Sequence, residues 1–105
     1  MQKMQIKVKF LSVFANKIGT TEEIIELFED YKISKLIKII TKKYKDGLSD
    51  YISVCGDDYA FNQLIKIGIQ IGGEGRVQMI DYMDGPDTIL NNGDIVFIYY
   101  ALSGG

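Results

Sequence analysis

One stretch of this chain has the spacing of a helix, and most of its other apolar stretches alternate. Ile33, Leu36, Ile37, Ile40 and Tyr44 recur at intervals of three and four, which gathers them into one apolar stripe. The spacing predicts a helix over Ile33 to Tyr44, with Ser34 as N-cap. Lys42, Lys43 and Lys45 sit where the negative end of the helix dipole favours cations, and Asp46-Gly47 ends it. The lysines Lys35, Lys38, Lys42, Lys43 and Lys45 read as the solvated face of this helix rather than as a binding patch. A single striped helix needs a sheet to cover it.

The sheet is legible in period-two runs. Met4, Ile6, Val8 and Phe10 alternate with Gln5, Lys7 and Lys9, a strand with one dry and one wet face. Ile65, Ile67, Ile69 and Ile71 alternate with Lys66, Gly68 and Gln70 in a second such strand. A turn signal at Asn92-Gly93-Asp94 precedes Ile95 to Ala101, β-branched and aromatic on both faces, which reads as a buried strand. Thr20 to Asp30 is ambiguous: Thr20 with Glu23 mimics a capping box, while Ile24 to Phe28 also fits a short strand. Loop length favours an antiparallel return of Glu23 to Phe28 on the first strand. Leu11 to Gly19 reads as a loop that tucks Val13, Phe14 and Ile18 against the core, and Lys45 to Gln63 as a long connection with one short ordered segment. Gly72-Gly73-Glu74-Gly75 is a turn leading to a short strand within Arg76 to Met83; a phosphate cradle would need a P-loop or dinucleotide spacing that is missing. Asp84-Gly85-Pro86-Asp87 is another turn. The expectation is an α+β roll, a mixed sheet of about four to five strands crossed by one main helix; if the first and last strands lie side by side in parallel, the tail leaves from an edge of the molecule where it can reach out.

Composition excludes several functions. The chain has 105 residues, enough for one domain spanning 1–105 and too few for a second core. It contains no histidine, which removes Ser-His-Asp and Cys-His catalysis and the commonest metal ligand. A net charge of -2 argues against nucleic acid as a partner. Cys55 is the single cysteine, so no intrachain disulfide forms, and a reducing compartment fits. The start, MQKMQIKVKF, lacks the apolar core of a signal peptide, and no run reaches membrane-spanning length. A soluble cytoplasmic protein with no membrane partner is expected.

The last residues carry the sharpest functional signal. Gly104-Gly105 follows the last strand, and a segment from Leu102 to Gly105 with no side chains at its end can reach on the order of 14 Å from the sheet. Asp87-Thr88-x-Leu90, then Gly93-Asp94-x-Val96-x-Ile98, then Gly104-Gly105 make a turn, a strand and a diglycine at set distances. In this the chain resembles the ubiquitin-like β-grasp sulfur carriers, above all the small subunit of molybdopterin synthase. Tyr99 matches an aromatic of that family that enters the partner, while Tyr100-Ala101 stands where the family often has prolines.

The resemblance implies a carrier that catalyses nothing itself and binds no cofactor. A ubiquitin-activating-type adenylyltransferase would use ATP to adenylate the Gly105 carboxylate, with Gly104 giving access, and sulfur would then replace an oxygen. The thiocarboxylate would enter the molybdopterin synthase large subunit and donate its sulfur to a pterin precursor. The alternatives are a protein modifier joined to lysines through Gly105, and a thiazole-synthesis carrier. Partner contacts are expected from Phe97, Tyr99, Ala101, Leu102 and Ser103. On the last strand Val96 and Ile98 are assigned to the core, leaving Phe97 and Tyr99 with Lys7 and Lys9 as an exposed aromatic patch with a basic rim, unless the Lys45 to Gln63 connection covers it. Cys55, with no histidine to activate it, reads as an inert small residue rather than a thioester site.

Overall fold

The helix foreseen from the apolar stripe is the element the sheet wraps. The computed structural model describes residues 3–11, 13–28, 31–44, 52–55, 58–61 and 65–100, with the backbone alone described at 13, 14, 17, 52–55, 58–61, 81, 86 and 100. Strands β1 (Lys3–Phe10), β2 (Glu22–Phe28), β5 (Ile65–Gln70), β6 (Val77–Met79) and β7 (Ile95–Tyr100) form one sheet in the order β2-β1-β7-β5-β6. Helices α1 (Val13–Ile18) and α2 (Ile33–Lys43) and the hairpin β3 (Ile52–Cys55) and β4 (Asp58–Phe61) complete the described elements, together with three short 3-10 turns. β1 and β7 run parallel, and every other pairing in the sheet is antiparallel.

Alternation does what it predicted. Met4, Ile6, Val8 and Phe10 are buried, and their register sets Val8 beside Val96 and Phe10 beside Ile98. Ile69 and Ile67 continue the same rows from β5. Ile33, Leu36 and Ile40 of α2, all at 0% exposure, close this face, with Ile37 and Tyr44 packed at its margin. The described lysines of the stripe's opposite face, Lys35, Lys38, Lys42 and Lys43, are exposed.

Four expectations change. Ser34 is not the N-cap: that residue is Lys32, extended and without a side-chain cap. Tertiary pairing replaces the cap, because Lys32 bridges Ile89 and the Ile33 N–H donates to the Thr88 carbonyl at 2.8 Å. Leu11 to Gly19 is not all loop, since Val13–Ile18 forms a six-residue helix closed by Gly19 N–H on the Ala15 carbonyl. Ile18 does pack on the core, while the side chains of Val13 and Phe14 lie outside the described residues. The 45–63 connection holds a two-stranded hairpin rather than one segment, and β4 lies against α2. Strands of four residues are too short for alternation to stand out from scatter. Ile71 leaves β5 for a 3-10 turn and is 45% exposed.

Where α2 ends against β2, polar groups meet at the core's margin. The Tyr44 hydroxyl donates to Glu23 Oε1 at 2.8 Å, the Lys43 ammonium pairs with the same oxygen, and the Tyr44 ring meets Phe10 edge-on. Burial, then the hydrogen bond and the charge of Glu23, raises the Tyr44 pKa above its ordinary 10.0. A group whose folded pKa lies above its unfolded one contributes stability that is complete below the unfolded pKa and is lost as pH rises through the folded one. Lys43, raised mainly by its hydrogen bond to Glu23, carries the same sign. Stability is therefore expected to stay level with respect to these groups up to about pH 10 and to fall above it. Urea titrations of wild type and Tyr44→Phe check this: the variant's alkaline slope should be the shallower, and equal slopes would remove Tyr44 as a cause.

Candidate functional site

The candidate site is the outer face of the sheet together with the strand that leads to Gly104-Gly105. Parity puts Ile95, Phe97 and Tyr99 of β7 on the face away from α2, half-buried, while Val96 and Ile98 point into the core at 1% and 2% exposure. Register then assembles their neighbours. Phe97 lies between Lys9 of β1 and Gly68 of β5, with Met79 of β6 beyond, and Ile95 lies between Lys7 and Gln70.

Three contacts shape this face. The Lys9 ammonium stands over the Phe97 ring, 5.8 Å from its centroid. Lys7 instead reaches Glu22 at 3.6 Å. The Tyr99 hydroxyl donates to the Met79 sulfur at 3.2 Å, so the polar atom that a buried tyrosine must satisfy has a partner within the sheet. Gly68 makes room: a Cβ there would come within 2.5 Å of Val77 Cγ1, so its bare backbone lets β6 close over β5 beside Phe97. The aromatic pair with its basic neighbours is therefore present, although as half-buried rather than fully exposed rings. Sequence reading missed Gly68 and Met79; a glycine interrupting an alternating strand was the available signal.

Below, the start of β7 is locked in place. The Asn92 side-chain oxygen accepts from the Gln5 N–H at 2.8 Å, Gly93 N–H donates to the Gln5 carbonyl, and Lys7 N–H donates to the Asp94 carbonyl, extending the parallel ladder backward from Ile95. Asp94, 1% exposed, accepts from Gly72 N–H and Asn91 N–H, one on each oxygen, both at 2.9 Å. Two glycine turns meet here at positive φ, Gly73 at 75° and Gly93 at 88°, and a Cβ on Gly73 would stand 3.3 Å from the Gly93 carbonyl. Among the described residues no group of three or more acidic or cysteine side chains gathers as a metal site would need, and no helix is long and apolar enough to cross a membrane. Ala101, Leu102, Ser103, Gly104 and Gly105 lie outside the described residues, as does the Cys55 side chain.

A helix packed across a mixed sheet whose first and last strands are parallel neighbours recurs in solved structures. Small archaeal modifier protein 1 of Methanosarcina acetivorans superposes with a TM-score of 0.76 at 21% identity, over 100% of both chains. Urm1 of Trypanosoma brucei superposes with a TM-score of 0.70 at 16% identity, over 100% of this chain and 99% of that one. A Pyrococcus furiosus protein assigned as molybdopterin converting factor, subunit 1, does so with a TM-score of 0.65 at 24% identity, over 94% of this chain and 99% of that one. The fold is the ubiquitin-like β-grasp. No protein-family model matches the chain, and no curated protein matches it. At these identities the β-grasp is what is shared. Within it, β7 is the middle strand, paired with β1 on one side and β5 on the other.

Proposed function

We propose that this chain is a sulfur carrier of the molybdopterin synthase small-subunit type, with no catalysis of its own. The observation that carries this reading is the placement of β7 at the centre of a β-grasp sheet, five residues ahead of Gly105 in sequence. A strand held on both sides is a rigid base, and Gly104-Gly105 adds little bulk at the end that other proteins must reach. The Gly105 carboxylate attacks the α-phosphorus of ATP on an adenylyltransferase, pyrophosphate leaves, and an acyl-adenylate forms. A sulfur nucleophile then displaces AMP, giving the thiocarboxylate. Inside the partner's large subunit that sulfur attacks a pterin precursor, and water then cleaves the acyl–sulfur bond, leaving the sulfur on the pterin and returning the Gly105 carboxylate. None of these steps asks the carrier for an acid, a base or a metal ligand, in keeping with a chain that has no histidine. Phe97 and Tyr99 on the outer face, with Ala101, Leu102 and Ser103 after them, supply the contact with these enzymes. The likeness to a Pyrococcus furiosus molybdopterin converting factor subunit supports the same reading.

A second reading, a modifier joined through Gly105 to target lysines, is favoured by the likeness to small archaeal modifier protein 1. The two part at the acyl-adenylate: sulfur attacks in one, a lysine amine in the other. A thiazole-synthesis carrier would share the first branch. Intact mass spectrometry of the chain co-expressed with its adenylyltransferase tests them together. The carrier is expected to gain the mass difference between sulfur and oxygen at Gly105. Isopeptide-linked adducts in its place would establish the modifier, and an unchanged mass would remove both.

A further inference from the structure

The two edges of the sheet are unequal. β6 is three residues long, whereas β2 runs for seven, Glu22–Phe28, and pairs with β1 without a bulge from Lys3↔Phe28 to Lys9↔Glu22. Long edges are usually blunted by proline, charged side chains, a bulge or a covering element; of these, β2 has charge, with Glu22 and Glu26 on the outer face and Glu23 turned inward to Lys43 and Tyr44. β2 contains no proline, glycine or lysine, and among the described residues no strand but β1 pairs with it.

The free groups on this edge can be assigned. Phe10 N–H donates to the Thr21 carbonyl at 2.9 Å, so in an antiparallel ladder Thr21, Glu23, Ile25 and Leu27 turn their backbone groups toward β1. The backbone of Glu22, Ile24, Glu26 and Phe28 faces outward. The opposite parity on β1 agrees, since Lys7 and Leu11 donate toward β7 and its approach. Apart from the Glu22 carbonyl, which accepts from the Thr20 hydroxyl, no hydrogen bond among the described residues is found on that outward row. The four side chains of the row alternate: Glu22, Ile24 at 60% exposure, Glu26, Phe28 at 48%.

We infer that the free edge of β2 is a strand-addition site for an extended segment of a partner protein that presents apolar and basic side chains alternately on one face. Directly opposed residues on neighbouring strands share a face, so the incoming row places apolar side chains against Ile24 and Phe28 and cations against Glu22 and Glu26. Lys7 and Lys3 already pair with those two carboxylates from β1, at 3.6 and 3.8 Å, but both carboxylates keep about half of their surface in water, 49% and 57%. A second copy of this chain fits poorly. In antiparallel self-pairing, centring on Ile24 sets Glu22 against Glu26 and centring on Glu26 sets it against itself. Centring on Ile25 instead places a carboxylate against Ile24 and against Phe28. The site lies on the far side of β1 from β7 and needs nothing from Gly105.

The test uses the full chain, labelled with nitrogen-15, and a synthetic peptide with valine and lysine alternating on one face and threonine on the other. At saturation the lysine peptide is expected to slow amide exchange of Ile24, Glu26 and Phe28 on the order of tenfold, leaving Glu23, Ile25 and Leu27, already bonded to β1, unchanged. A peptide with glutamate in place of lysine should do nothing, and Ile24→Lys should weaken binding of the lysine peptide by about tenfold with the thermal midpoint unmoved. The inference is overturned if the lysine peptide slows none of the three amides, if the glutamate peptide slows them equally, or if shifts appear only around Phe97 and Tyr99. Protection of the three amides without peptide, accompanied by a dimer in sedimentation equilibrium, would give the edge to a second copy and overturn it as well.

Discussion

If the proposed carrier reading holds, deleting Gly105 is expected to abolish thiocarboxylate formation and to leave the fold as it was. The deletion removes up to about 3.5 Å of reach, and a misplacement of about 1 Å at a reacting group can already cost 10²-fold. No detectable product is therefore the expected result, rather than a slow reaction. Stability is expected not to change, because the last core residue among those described is Ile98, and the described contacts that hold β7 run through Lys7, Phe10, Ile67 and Ile69. Paired measurements decide it: intact mass after incubation with the adenylyltransferase and ATP, and the urea midpoint of the same sample. Product from the shortened chain would show that the reacting carboxylate is not sited by Gly104-Gly105, and the carrier and modifier readings would fall together. A collapsed midpoint would show instead that the tail is part of the folded body.

Replacing Asp94 by alanine is expected to cost about 2 to 4 kcal/mol. Its carboxylate is 1% exposed, and each oxygen takes one backbone N–H, from Gly72 on the β5–β6 connection and from Asn91 ahead of β7. Alanine leaves two buried donors without acceptors, and that loss, not the loss of a charge, dominates the cost. Asp94→Asn keeps one acceptor and turns an NH₂ toward the other donor, so it should recover part of the difference. Urea denaturation with an unchanged slope checks both variants. A cost for alanine below about 1 kcal/mol would mean that water reaches the two N–H groups, and the clamp would have to be given up.

The candidate site was legible in part. That Val96 and Ile98 point inward, and Phe97 and Tyr99 outward beside Lys9, followed from parity once the first and last strands were paired in parallel. What escaped was everything set by neighbours distant in sequence. Nothing in the chain's order says that Met79 accepts from Tyr99, that Gly68 is bare because Val77 leans over it, or that Asp94 reaches Gly72. Asp94 read as a turn residue, and its burial is visible only after two loops have met.

Periodicity by itself determined the α+β class, the one long helix and which apolar residues of β1 and β5 are dry, because an apolar side chain leaves water wherever the strand or helix repeat brings it back to one face. Tertiary structure decided the rest. It decided where short elements form, as with the helix at Val13–Ile18 and the hairpin of β3 and β4, whose few residues repeat too seldom to carry a pattern. It decided how α2 begins, since the Thr88 carbonyl supplies what a capping side chain would have. And it decided which strand is left at the edge, because hydrogen-bond partners are chosen by the packing of the whole sheet and an unpaired row has no signature in the order of its own residues.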